Sequence, residues 1–221
     1  MARSIRGVEM MTNRAEEIAK ELLKIKAVTL NPQNPYTWAS GLKAPIYTDN
    51  RLIMSHPATR TKIEQAMVEV IKSEFKEAEV IAGTATAGIP HAAIIAHILG
   101  LPMIYIRSSA KGHGKQNAIE GEFKPGAKVV MVEDLISTGG SVIQAADAVK
   151  EAGGEVIGCL AIFNYLLKQS ELNFSKTGYP LVTLTNYQTL VDVATENPAL
   201  KNDRDTLRQW YIDPVKWSEN R

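Results

Sequence analysis

Cysteine is nearly absent from this chain. The single Cys159 excludes an intramolecular disulfide framework and any multi-cysteine zinc or iron–sulfur site. Long apolar runs are missing too: nothing approaches the roughly 20 residues that cross a bilayer. Arg3 and Arg6 near the start have no apolar stretch behind them, so neither a secretory signal nor a membrane span is expected. A soluble cytoplasmic protein is the expectation. There is no excess of one charge. Lys and Arg number 25 against 24 Asp and Glu, a formal net charge of +1, which gives no support to a broad interface with nucleic acid. Repeats, low-complexity tracts and interdomain linkers are also lacking. What remains is 221 residues, 45% hydrophobic and 22% charged, enough chain for a sizeable core.

Two methionines, Met10 and Met11, suggest that residues 1–11 form a disordered extension, with one domain over residues 12–221. The first amphipathic pattern runs from Thr12 to Ala27, with Ile18, Leu22, Leu23 and Ile25 on one broad face. A turn-rich break at Asn31 to Pro35 leads to a hairpin or two short strands over Tyr36 to Arg51, and Ala58 to Phe75 reads as a second helix. Then the rhythm changes. Short Val/Ile/Leu runs at Val80, Pro102, Lys128, Glu155 and Leu181 alternate with helical segments at Gly88–Leu99 and Gly139–Ala152. Continuous apolar strands alternating with helices predict an α/β fold, a mostly parallel sheet with helices on both faces. Ser108 to Glu122 has almost no large apolar residue and three glycines, so it is expected to be a long functional loop.

The chemistry concentrates in Glu133-Asp134-Leu135-Ile136-Ser137-Thr138-Gly139-Gly140-Ser141, which follows the buried strand Val129 to Val132 and opens a helix. Open α/β sheets bind ligands at this end of a parallel strand. Ser137 to Ser141 can wrap a phosphate: glycines allow close backbone approach, hydroxyls donate, and the helix dipole favours negative charge. The glycine spacing matches neither a Walker loop nor a dinucleotide fingerprint. Two acids beside a phosphate would repel it unless they face something else, and a ribose diol is the natural target. Ordinary helix capping would explain Ser137 or Ser141, but not both acids and both glycines.

This segment resembles the phosphoribosyl-diphosphate (PRPP) signature of the type I phosphoribosyltransferases. The resemblance implies that the turn holds the 5-phosphate and that Glu133 and Asp134 engage the ribose hydroxyls. It also implies that Mg2+ sits on the diphosphate, carried by PRPP and not by direct protein ligands. Thr84-Ala85-Thr86-Ala87-Gly88, again between a strand and a helix, resembles the family's diphosphate loop. Arg107, Lys111 and His113, at the entrance of the 108–122 loop, narrow the likeness to orotate phosphoribosyltransferase. In that family this loop is catalytic and reaches the neighbouring subunit's site, which implies a homodimer and gives these three residues both catalytic and PRPP-binding roles. Trp38 to Arg51 is similar to the family's hood, which would span residues 28–56, with a core of about 57–193 and a tail of 194–221. Within it Lys43 and Arg51 suit the carboxylate of a planar acid, and Ser137 is expected to touch the base.

The resemblance implies transfer of phosphoribose from PRPP to orotate in pyrimidine biosynthesis. The chain departs from it at Ala39, Ser108 and Asn164-Tyr165, where relatives often carry Lys, Lys and Arg. These departures spare the PRPP motif and leave the carboxylate partner open. Two alternatives stay in view: the same fold acting on another nucleobase, and a PRPP-sensing regulator without catalysis. His91 and His97, six residues apart, read as packing residues, and Cys159 as an inert buried thiol. Trp210, Tyr211 and Trp217 are expected to pack on the body.

Overall fold

Apolar runs that must bury both faces pair side by side and are covered by the helices between them. In the computed structural model of the chain, residues 5–108 and 118–221 are described, with side chains from Thr12 onward. Contacts divide the chain into two units, Met1–Thr59 with Thr185–Arg221, and Arg60–Leu184. The first unit holds the expected hood and tail residues, and the second ends at Leu184.

The central sheet is built from β5 (Val80–Thr84), β6 (Met103–Ile106), β7 (Ile119–Glu120), β8 (Lys128–Ile136), β9 (Glu155–Asn164) and β10 (Leu181–Asn186). Its order is β10-β9-β8-β5-β6-β7. β5 pairs in parallel with β6 and β8, and β8 with β9; β7 runs antiparallel to β6 at the edge. The expected 108–122 loop is therefore shorter than its composition suggests, because Ile119 and Glu120 are drawn into the sheet opposite Ile106 and Tyr105. β8 also outruns its apolar segment. Glu133, Leu135 and Ile136 pair with Ala161, Phe163 and Asn164 of β9 and Asp134 lies between them, so both acids belong to the strand itself.

Helices α3 (Gly88–Leu99), α4 (Gly140–Glu151) and α5 (Lys168–Thr177) complete this unit, together with most of α2 (Pro57–Glu74). Val129, Met131, Val142, Ala146, Cys159 and Phe174 share one buried cluster, which ties α4 and α5 to β9 and to β8, the strand that carries the acids. Such burial is the main stabilising term for the unit.

In the other unit α1 (Ile5–Lys24) begins seven residues ahead of the expected start at Thr12, so residues 5–11 continue a helix instead of forming an extension. β2 (Tyr36–Thr37) pairs antiparallel with β3 (Lys43–Ala44) across Ser40-Gly41, the expected hairpin of two short strands, and β1 (Val28–Leu30) pairs with β4 (Ile46–Thr48) as a second ladder. Arg51 falls in a 3-10 helix, Asn50–Ser55. The tail folds as α6 (Tyr187–Ala194), α7 (Arg204–Ile212) and α8 (Pro214–Glu219). Trp210 is fully buried, edge-on to Trp38 at 5.6 Å and beside Tyr187 at 4.9 Å, and Trp217 is buried as well. Among the described residues no helix is long and apolar enough to cross a membrane.

Candidate functional site

The site grows from the carboxyl end of β8. Beyond Ile136 the chain turns through Ser137 and Thr138 into α4, whose first residue is Gly140. Gly139 sits at φ 79° with no side-chain cap beside it, and a Cβ there would come within 2.6 Å of the Phe174 ring. Glycine is required on both counts, positive φ and close approach. The turn encloses a concavity of about 80 Å³ lined by Glu133 and residues 135–142, the size of a phosphate group and too small for a nucleoside. The amides of the first turn of α4 and its dipole favour an anion there.

Support for this turn comes from residues that the sequence did not single out. Asn173 Nδ2 donates to the Thr138 carbonyl at 2.9 Å, and Phe174 fills the space beside Gly139. Both lie on α5, a mostly polar segment whose pattern carried no recognisable signal.

Glu133 is buried and its Oε1 accepts a hydrogen bond from the Asp134 amide at 3.0 Å. Burial first, and the adjacent Asp134 carboxyl second, push its pKa up from 4.5 to about 9, while the Thr84 hydroxyl opposes them. A neutral Glu133 can donate as well as accept, which suits a hydroxyl-bearing ligand and removes one negative charge beside the phosphate cradle. It also sets a pH dependence. The folded chain keeps a proton that the unfolded chain releases above 4.5, so this stabilisation is complete below pH 4.5 and is lost as pH rises through about 9. Glu133→Gln has no such proton to lose. Its melting temperature should therefore rise relative to the parent protein between pH 5 and pH 9, the window set by that shift, and a constant difference across it would contradict the assignment. The Cys159 thiol is pushed up to about 12, by burial and then by Glu133, and stays protonated, as an inert thiol should.

The second loop lies between β5 and α3. The Ala85 amide donates to the Ile106 carbonyl at 2.9 Å, so it is not available to a ligand, and the Ala85–Thr86 peptide is cis. Thr86, Ala87 and Gly88 lead into the positive end of α3. Gly88 presses against β8 immediately before the acids: a Cβ would lie 2.4 Å from the Val132 carbonyl oxygen.

Thr84, Ala85 and Arg107 line one cleft of about 260 Å³, which the phosphate turn reaches through Ser141 and the acids do not line. Arg107 Nε pairs with Glu120 at 3.0 Å, and its amide donates to the Ala118 carbonyl, closing the ribbon of β6 and β7. Lys111 and His113 lie outside the described residues. In the other unit, Lys43 Nζ donates to the Arg221 carbonyl and its amide to Ser218 Oγ. Arg51 Nε is 2.6 Å from Asp49 and holds that carboxyl below its usual range. Any ligand carboxylate must compete with these partners. Among the described residues no group of three or more His, Cys, Asp or Glu could hold a metal ion.

A family model, phosphoribosyl transferase domain, matches residues 51–195. The orotate phosphoribosyltransferase of Enterococcus faecalis is 55% identical over 210 residues, covering 95% of this chain and all of that protein. The one from Listeria monocytogenes is 52% identical over 205 residues, covering 92% of this chain and 98% of that protein. Among solved structures, orotate phosphoribosyltransferase from Aeropyrum pernix superposes with a TM-score of 0.73 at 27% identity, over 81% of this chain and 99% of that one. With its mostly parallel sheet and its motif at the end of β8, this chain belongs to the orotate phosphoribosyltransferase family, within the type I phosphoribosyltransferase fold.

Proposed function

We propose that the chain transfers the phosphoribosyl group of PRPP to orotate, giving orotidine 5′-monophosphate and diphosphate, a step of pyrimidine biosynthesis. The observation that carries this reading is the acidic pair Glu133–Asp134 leading directly into the Ser137–Ser141 turn at the end of a parallel strand, in a chain 55% identical to a protein of that name.

In the reaction a ring nitrogen of orotate forms a bond to C1 of the ribose and gives up its proton to the departing diphosphate or solvent. The C1–oxygen bond to diphosphate breaks, and its electron pair leaves with the diphosphate. The transition state has oxocarbenium character, so the protein's task is alignment and charge stabilisation. Amides and hydroxyls of Ser137 to Ser141 hold the 5-phosphate, Glu133 and Asp134 orient the ribose hydroxyls, and Thr84 to Gly88 receive the diphosphate. Magnesium, when bound, neutralises diphosphate charge. Arg107, Lys111 and His113 act on the same leaving group. Lys43, Arg51 and Ser137 serve the orotate. A homodimer that shares the 108–122 loop between subunits, in the cytoplasm, completes the reading.

The test is spectrophotometric: with PRPP and magnesium, the orotate absorbance should fall, while uracil, adenine and xanthine give no turnover. Preference for any of those three bases, or no turnover at all, would overturn it.

A further inference from the structure

Glu64 and His91 form a buried polar pair that the mechanism above does not use. Glu64 lies on α2, one residue from Ile63 and three from Met67, both fully buried. His91 lies on α3, three residues after Gly88. Their side chains are 2% and 1% exposed, and His91 Nδ1 sits 2.5 Å from Glu64 Oε1. The other carboxylate oxygen, Oε2, is buried and has no hydrogen-bond partner among the described residues. Packing alone gives no reason for such a pair, because apolar residues of similar volume at both positions are often neutral or stabilising. What distinguishes the position is its neighbourhood. α3 begins at Gly88, where no Cβ is tolerated against the Val132 carbonyl, and its first turn carries the Thr84–Gly88 loop. Rotation of α3 about its own axis would move that loop relative to the acids of β8, and a directional hydrogen bond one turn into the helix resists rotation as apolar packing cannot.

We propose that Glu64 and His91 are positioning residues for the diphosphate loop: the buried Nδ1–Oε1 hydrogen bond sets the rotation of α3 and so the placement of Thr84 to Gly88 against the PRPP site. The proposal rests on the PRPP-binding role assigned to that loop.

Three variants test it, with the Kd for Mg-PRPP measured by calorimetry and both KM values measured in turnover. The Glu64→Met/His91→Leu double variant should stay folded, yet bind PRPP about tenfold or more weakly, with the KM for orotate within about twofold of the parent. His91→Asn keeps a donor near the position of Nδ1 and should restore PRPP affinity to within about threefold, whereas His91→Gln displaces the donor and should resemble the double variant. Should the double variant not fold, the Asn/Gln comparison decides by itself, since loss of ring packing alone would penalise Asn at least as much as Gln. Unchanged PRPP affinity in all three variants, equal losses in Asn and Gln, or parallel rises in both KM values would overturn the proposal. A parent protein that binds PRPP but leaves orotate untouched would instead overturn the orotate reading, and the Kd comparison would still decide this one.

Discussion

In the Gly88→Ala variant, kcat/KM for PRPP should fall by about 100-fold, the scale of loss that a displacement of about 1 Å in a binding group produces. The added methyl would stand 2.4 Å from the Val132 oxygen, 3.3 Å from the Val132 carbonyl carbon and 3.4 Å from Glu133 Cα. All three are backbone atoms of a strand paired with β9 at Val132 and Glu133, so no flexible side chain can move aside. The start of α3 must lift away from β8, carrying the Thr84–Gly88 loop with it. Overpacking of this kind costs about 1–3 kcal/mol in stability, so thermal unfolding should shift down while the fold persists. Gly140→Ala supplies the internal control. Its Cβ would meet nothing nearer than Thr138 Oγ1 at 3.7 Å, and its stability should be close to that of the parent. Equal PRPP affinity in Gly88→Ala and the parent protein would show that the close approach has no bearing on the site.

Lys111→Ala should lower kcat by about 10²–10³, the loss typical of one charge-stabilising donor, while the Kd for Mg-PRPP changes by less than about threefold. Negative charge on the diphosphate grows only as the C1–oxygen bond breaks, so a cation there stabilises the transition state more than the bound substrate. Single-turnover kinetics beside an equilibrium titration separate the two quantities. A variant with weakened PRPP binding and an unchanged kcat would remove Lys111 from the chemistry.

The site's centre was legible because its requirements are local: two acids, two hydroxyls and two glycines at fixed spacing after an apolar strand. Helix α3 was legible for the same reason, as a continuous apolar segment opened by glycine and closed at Gly100. The extent of β8 was not, because Glu133 and Asp134 interrupt the apolar pattern and are held in the strand by the pairing of Glu133 and Leu135 with β9, a partner distant in sequence. Helix α5 escaped notice since its buried contribution is little more than Ser170 and Phe174 on an otherwise polar segment, and its value lies in two contacts to the turn at Thr138 and Gly139. The pairing of β1 with β4 likewise depends on a ladder that a hairpin reading of Tyr36 to Arg51 could not contain. His91 reads as a packing residue and is buried, but its hydrogen bond to Glu64, 27 residues away, could not be read from helical periodicity.

Everything in the functional account requires one placement, a phosphorylated ribose laid across the end of β8. A crystal structure of the protein with Mg-PRPP tests it directly. The 5-phosphate should lie in the turn of Ser137 to Ser141, within hydrogen-bonding distance of its amides, with the ribose hydroxyls on Glu133 and Asp134. Density for the sugar away from both acids, or a phosphate seated outside that turn, would contradict the account at its base.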